Sequence, residues 1–343
     1  MSPTVVPGIP SLHREVRLAA RVEGELTAHH FMIAEVPVPV PEPEPGQVLV
    51  RNRVMAVTAA MRTQMTGIRL PMASFVPGQA LWGSAVGEVV AAPGGGFTPG
   101  ELVHHPYGWR EFAAVEESRV RSLAEDPLPT PAAHLSQGAT AWGALRLAAE
   151  VRPGDTVFIS GAAGGVGSLA GQLARRLGAG RVIGSTGSER KAARLRAELG
   201  YDDTVVRGAG PIERQLRRAA PDGIDVLLDT VGGEQLTAAL AVARADARFA
   251  LVGALSSQLG GSGAIAPVEL DPGLIIMRRV ALRGFGLHAH PDLPQEWTKE
   301  FGQGLREGSL VFPHALLKGI QQAPRALSEL TQGRHIGAVL VEL

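Results

Sequence analysis

Glycines 161, 164 and 167 stand between a strand-like stretch, Asp155-Thr156-Val157-Phe158-Ile159, and a helix-like one with apolar residues at Val166, Leu169, Ala170, Leu173 and Leu177. A strand, a glycine-rich turn and a helix in that order can cradle the pyrophosphate of a dinucleotide. The glycines let the backbone approach the phosphates, and the helix N-terminus offers free N–H groups and a positive dipole. The spacing is G-x-x-G-x-x-G, because Ala162 stands where the commoner G-x-G-x-x-G has its second glycine. In a chain with 43 glycines such a turn alone is a weak signal. Its place between a strand and an amphipathic helix gives it weight. Gly161, Gly164, Gly165, Val166 and Gly167 are therefore the expected cofactor cradle.

In sheets of this kind, an acidic residue about 20 positions past the turn binds the adenosine ribose when the cofactor is NAD. Here the second strand ends in Gly184-Ser185-Thr186-Gly187-Ser188, and the first carboxylate is Glu189. Arg190 and Lys191 follow at once, and Arg207 lies after the third strand. A small pocket floor with nearby cations suits a 2′-phosphate, which needs charge-assisted donors and is repelled by a carboxylate. The competing reading takes Arg190 and Lys191 as a solvated first helical turn, but cations at a helix start oppose the dipole. NADPH is the expected cofactor.

These residues need a scaffold. The 343 residues suggest two domains on a prior of roughly 100–200 residues each. From about residue 15 to 125 the chain reads as short strands and turns, including 48–54, 85–90 and 101–103, with five prolines between 37 and 46 in a surface connector. From about 135 strands and helices alternate. Strands are expected at 181–184, 203–206, 224–228 and 248–252, and helices at 188–199 (Ser188 as N-cap), 212–219 and 234–243. Repeating β-α units of this length predict a doubly wound parallel sheet.

Composition narrows the function. Lys plus Arg and Asp plus Glu number 33 each, and no basic run stands out, so nucleic acid and anionic membranes are not expected partners. No stretch approaches the ~18 apolar residues that span a bilayer. Met1 to Pro10 has no positive charge ahead of an apolar stretch, so no signal peptide is expected and the expected location is cytoplasmic. The chain has no cysteine, which removes disulfides, thiolate nucleophiles and sulfur-based zinc sites. His104-His105 and His288-x-His290 lack a carboxylate at ligand spacing, so no metal is expected.

Several motifs in order carry a family resemblance: Val48-Leu49-Val50-Arg51-Asn52 with Met61-Arg62, Gly108-Trp109-Arg110-Glu111-Phe112, and Gly138-Ala139-Thr140-Ala141-Trp142 before the glycine turn. Beyond it come Gly187-Ser188 with Lys191, Asp225-Val226, Asp229-Thr230-Val231-Gly232-Gly233, and Gly253-Ala254-Leu255-Ser256. Arg283-Gly284-Phe285 and Gly333-Arg334-His335-Ile336-Gly337 complete the series. Over nearly its whole length the chain resembles the medium-chain dehydrogenase/reductase superfamily, in its zinc-independent branch of prostaglandin and alkenal double-bond reductases. The resemblance implies an α/β architecture: a β-rich GroES-like domain over residues 1–128, a Rossmann domain over 129–298, and a return of 299–343 to the first domain. It also implies a homodimer, an active site in the cleft between the domains, and pyrophosphate held by Gly164, Gly165 and Val166. Ser188 and Lys191 match family positions at the 2′-phosphate. Val231, Val252, Ser256, Phe285, Gly286, Leu287 and His335 match positions along the adenine and nicotinamide. Tyrosine is common in the family where Arg207 stands, and asparagine where His335 stands.

Two departures bear on catalysis. The family's Asp-Pro-Tyr-Met-Arg reads Thr58-Ala59-Ala60-Met61-Arg62 here, and its Ser-Gln-Tyr-Asn reads Ser256-Ser257-Gln258-Leu259. Both family tyrosines are missing. Reducing an enone requires hydride at the β-carbon and a donor to the enolate oxygen. The cofactor's ribose hydroxyl, Tyr107, Gln258 or water would have to serve. Ala60, Met61, Tyr107 and Gln258 are the expected substrate-pocket residues, and the loss of bulk at Ala60 suggests a larger or differently shaped substrate. The implied activity is NADPH-dependent reduction of an α,β-unsaturated carbonyl. The alternatives are a quinone oxidoreductase and an NADPH-binding protein with weak catalysis.

Overall fold

The computed structural model describes residues 9–40, 46–68, 73–125, 128–256 and 267–343. The chain divides into two compact units, one of Met1–Leu135, Ala315–Gln332 and Val339–Leu343, the other of Ser136–His314 and Gly333–Ala338. The expected boundary at 128/129 thus lies later, and the C-terminal return begins at Ala315, not at 299. The cause is the helix Leu293–Glu307, which stays with the second unit. Its Trp297 and Phe301 are buried and stack at 4.6 Å, and Trp297 Nε1 donates to Ser136 Oγ at 2.9 Å. A Cβ on Gly138 would fall 1.9 Å from the Trp297 ring, so that helix lies directly on the start of the unit.

In the first unit β1 (Leu12–Leu18) and β2 (Phe31–Pro37) pair antiparallel. β3 (Gln47–Val57), β4 (Ala85–Ala91), β5 (Leu102–His105), β6 (Phe112–Glu116) and β7 (Arg121–Ser122) build a larger sheet with the strands His314–Lys318 and Ala338–Glu342. β3 is its spine, pairing with β4, β6 and Ala338–Glu342. One end of β3 gives Val48 and Val50 to a core cluster with Val89, Val103 and Val115, and the other end gives Met55 and Val57 to a second cluster. Register shifts between Asn52 and Val54 separate the two ends. Asn52, at that irregularity, is buried and donates through Nδ2 to the carbonyls of Tyr107 (3.0 Å) and Arg110 (2.8 Å). Its Oδ1 lies 2.7 Å from Nε2 of His105, whose Nδ1 accepts from the Tyr107 amide at 3.2 Å. The imidazole must therefore be neutral with its proton on Nε2.

The second unit is a six-stranded parallel sheet in the order β10-β9-β8-β11-β12-β13. Its strands are β8 (Thr156–Ile159), β9 (Arg181–Thr186), β10 (Asp203–Val206), β11 (Ile224–Asp229), β12 (Ala243–Leu251) and β13 (Ala281–Gly284). The order reverses between β8 and β11, the switch point where such sheets bind ligands. The expected strands and helices are present, α5 (Ile212–Ala219) among them, though β12 begins at Ala243, five residues before the expected 248, and the last helix, α6 (Gly233–Ala241), stops two residues early to make way for it. α3 (Gly167–Arg176) buries Leu169, Ala170 and Leu173, and α4 (Glu189–Glu198) is capped by Ser188, whose hydroxyl accepts from the Lys191 amide. No helix among the described residues is long and apolar enough to cross a membrane.

Burial, His104 and Arg110 push the His105 pKa down to about 3 from 6.5. Below pH 6.5 the unfolded chain gains a proton here that the folded chain refuses, so stability falls as pH drops toward 3. The slope is at most about 1.4 kcal/mol per pH unit from this group. Denaturant unfolding between pH 7 and 4.5 should show a smaller loss for His105→Gln than for the parent chain. Equal losses would place the acid sensitivity elsewhere.

Candidate functional site

The site is built at the C-terminal ends of β8, β9, β11 and β12. Ser160, directly after β8, is buried, and its hydroxyl donates to Asp229 Oδ1 at 2.5 Å. Asp229 ends β11, is 1% exposed, and accepts the amides of Val231 (2.9 Å) and Gly232 (2.9 Å). The Thr230 amide donates back to Ser160 Oγ at 2.8 Å. The two strands flanking the switch point are thus joined by side chain, and Val231 is fixed. Ser256 is fixed in turn, since its amide and hydroxyl donate to the Val231 carbonyl at 2.9 and 2.6 Å. The Val252 amide donates to the Asp229 carbonyl at 2.8 Å.

Each glycine of the turn has its own reason. Gly161 has φ +61°, and a Cβ there would lie 2.6 Å from Thr230 Oγ1. A Cβ on Gly167 would meet backbone only, Gly161 O at 2.5 Å and Ala162 Cα at 2.6 Å. Both serve the close turn itself. Gly164 differs, because its Cβ would meet only Gly161 O at 3.3 Å and otherwise open space. The backbone at Gly164 is thus open to a group as large as a pyrophosphate. Gly165 faces protein instead, because its Cβ would point at Gln137 Oε1, 2.0 Å away. Ser185 secures the turn from β9, accepting the Gly161 amide on Oγ (3.0 Å) and the Ala162 amide on its carbonyl (2.8 Å).

At the end of β9 the Thr186 hydroxyl is buried with no hydrogen-bond partner among the described residues. Arg190 and Arg207 are exposed, and neither guanidinium makes a hydrogen bond or ion pair among the described residues. Lys191 is buried, and burial together with Arg190 and Arg207 lowers its pKa. Its ammonium donates to the carbonyls of Gly333 and His335. His335 therefore does enter this cluster, through its backbone.

Other expected residues fall elsewhere. Phe285 is buried, stacked on His290 at 5.2 Å, and a Cβ on Gly143 would lie 2.4 Å from its ring, so it packs inward; Gly286 and Leu287 lead from it into a short turn. In the first unit Ala60 and Met61 open α1 (Ala60–Gln64). Met61 is 4% exposed, in the core cluster with Leu81 and Trp109. The Tyr107 ring packs on the Val48–Val50 cluster, and its hydroxyl accepts from Arg119 Nη1 at 2.7 Å. That pairing engages the phenol oxygen as an acceptor for a half-exposed arginine and leaves its O–H to donate elsewhere. Gln258 lies outside the described residues. Among the described residues no group of three His, Cys, Asp or Glu side chains could hold a metal ion. A cleft of about 670 Å³ opens beside α6, but it carries Glu234, Glu269 and Asp271, which repel phosphate. Sequence reading missed Ser160, Gln137 and Ser185, whose partners are 24 to 70 residues away.

Residues 14–123 match the model of an N-terminal domain of oxidoreductases, and residues 165–301 match the zinc-binding dehydrogenase model. The Bacillus subtilis protein YfmJ, named as an NADP-dependent oxidoreductase, is 32% identical over 335 residues, which cover 96% of this chain and 97% of that protein. An NADP(+)-dependent 2-alkenal reductase of Nicotiana tabacum is 29% identical over 305 residues, 86% of each chain. The crystal structure of CurA from Vibrio vulnificus in complex with NADPH superposes with a TM-score of 0.88 at 26% identity, covering 96% of this chain and 98% of CurA.

The two kinds of glycine should separate by mutation. Gly164→Ala should leave thermal stability almost unchanged while weakening dinucleotide binding. Gly167→Ala should cost about 1–3 kcal/mol of stability, because only backbone can yield. Thermal melts with and without cofactor check both, and a destabilised Gly164→Ala with normal binding would count against this cradle.

Proposed function

The chain belongs to the medium-chain dehydrogenase/reductase superfamily, in its zinc-independent branch, and is an NADPH-dependent oxidoreductase; we propose that the bond it reduces is a carbon–carbon double bond conjugated to a carbonyl. The observation that carries the cofactor side of this reading is the end of β9, where Arg190, Lys191 and Arg207 converge and, among the described residues, the Thr186 hydroxyl has no partner. The similarity to an alkenal reductase supports the substrate class, since a 2-alkenal is an aldehyde conjugated to a double bond. NADPH bound at the turn supplies a hydride.

The chain's own residues bind and orient. Open space at Gly164 and the N-terminus of α3 receive the pyrophosphate, and the Asp229 network holds Val231 and, through it, Ser256 at the switch point. Ser188, at the N-cap of α4, presents its hydroxyl beside the cations. Hydride at the β-carbon leaves an enolate, whose α-carbon then takes a proton. Tyr107 is engaged by Arg119, so in this reading water or a ribose hydroxyl supplies that proton. The homodimer belongs to the same proposal. β13 is an edge of the parallel sheet among the described residues, and Ile276 and Met277, on the helix just before it in the chain, are 72% and 78% exposed. Exposed apolar side chains and an edge strand are each features that an interface between copies would cover.

Following NADPH absorbance across a panel of enals, enones and quinones, turnover should appear with the first two classes; turnover with quinones alone would replace this reading with a quinone reductase. Tyr107→Phe should change turnover only a few-fold. A drop of about 10²–10³, the loss expected for a removed oxyanion donor, would make the phenol catalytic. Light scattering should give twice the 35.9 kDa chain mass, and Met277→Asp should shift it toward one chain.

A further inference from the structure

Gln137 sits between two residues that Trp297 holds. Ser136 Oγ accepts from Trp297 Nε1 at 2.9 Å, and a Cβ on Gly138 would fall 1.9 Å from the Trp297 ring. The backbone of Gln137 is thereby fixed at the start of α2 (Gly138–Gly143). Its side chain reaches the glycine turn, where Oε1 stands 2.0 Å from the place a Gly165 Cβ would take. There the carboxamide is half-buried and makes no hydrogen bond among the described residues, although it has two donors and an acceptor to offer. The backbone beside it is equally unspent. The amides of Gly165, Val166 and Gly167 have no acceptor among the described residues, whereas the next one, Ser168, donates to Gly164 O at 2.9 Å. Such a row of amides at a helix start calls for an anion, and the carboxamide lies at its edge.

The side from which Gln137 approaches tells which half of a dinucleotide it meets. The chain that follows it lies against the end of the sheet: a Cβ on Gly143 would stand 2.4 Å from the ring of Phe285, just after β13, and Arg283 in β13 pairs with Glu150. Ser188 and Arg207, at the adenosine end, follow β9 and β10 on the other side of β8. A dinucleotide laid across the switch point therefore turns its nicotinamide half toward Gln137.

We propose that Gln137 donates a hydrogen bond to the nicotinamide-side phosphate of the bound dinucleotide, adding a side-chain donor to the backbone of the turn. The proposal rests on the reading of the glycine turn as the cofactor cradle. Its test pairs calorimetric titration of NADPH, NADH and 2′,5′-ADP, which has the adenosine half alone, with thermal melting of the cofactor-free protein. Gln137→Ala should melt as the parent does, because the carboxamide bonds to nothing in the protein. It should weaken NADPH and NADH alike, by about three- to tenfold. Gln137→Glu keeps the shape, removes the donor and sets a negative charge beside the phosphate, so both dinucleotides should lose more than about tenfold. The parent and both variants should bind 2′,5′-ADP equally. Parent-like binding of NADPH by Gln137→Glu would overturn the proposal. So would a loss of 2′,5′-ADP as large as that of NADPH, or a lowered melting temperature in Gln137→Ala, either of which would make the glutamine a support of the turn. Gly164→Ala tests the cradle separately: if it binds NADPH as the parent does, the cradle is misplaced, whatever the Gln137 variants do.

Discussion

Asp229 is a carboxylate with almost no exposure to water, and it survives there because hydrogen bonds surround it. Ser160 Oγ and the amides of Val231 and Gly232 all point at it. A buried carboxylate is costly unless its lone pairs are filled, so the groups that fill them are held firmly in place. Here those groups come from the ends of β8 and β11, the strands between which the sheet order reverses. The carboxylate therefore sets the spacing of the two strand ends and the path of the chain after β11. Ser256 and Val252 then take their places from Val231 and Asp229.

A second constraint brings α3 down onto the sheet. Tyr201 is buried, donates from its hydroxyl to Gly167 O at 2.6 Å, and has its pKa raised by burial. It fits only because Gly171 and Gly184 have no side chains; a Cβ on either would fall 2.3 or 2.6 Å from its ring. The phenol therefore anchors the first residue of α3 while the helix stays close to β9. Together with Ser185, which holds the Gly161 and Ala162 amides, it fixes both sides of the turn before any ligand arrives. Such preorganisation lowers the cost of ordering on binding.

Much of this framework is legible in the sequence because its signals are local. The alternation of β8, α3, β9 and α4, the Ser188 cap and the missing carboxylate after β9 all lie within short windows of chain. What is not legible depends on distant partners. Nothing near Gly165 announces that Gln137 will lie against it, and nothing near Trp297 announces that Gly138 will receive its ring. The helix Leu293–Glu307 reads as amphipathic wherever it packs, so its allegiance to the second unit, and with it the boundary at Ala315, needs the fold. Tyr107 shows the same limit. Its turn is readable, but the hydrogen bonds of Asn52 and His105 that orient the turn, and the Arg119 that takes the hydroxyl, are not.

Residues 333–338 show how one segment can owe its place to charge and backbone together. The chain on either side of it, 315–332 and 339–343, belongs to the first unit, yet these six residues belong to the second. Gly333 (φ +64°) and Gly337 (φ +83°) bend the chain at both ends of the excursion, where side chains would be strained. A Cβ at Gly337 would also collide with Pro313 O at 1.8 Å. Two glycines thus make the path possible, and Lys191 and the Ala163 carbonyl hold it. A buried ammonium near two arginines is unfavourable by itself, so carbonyl oxygens close by stabilise the lysine as much as the lysine stabilises the segment. The cations after β9 and the C-terminal segment are then parts of one electrostatic arrangement.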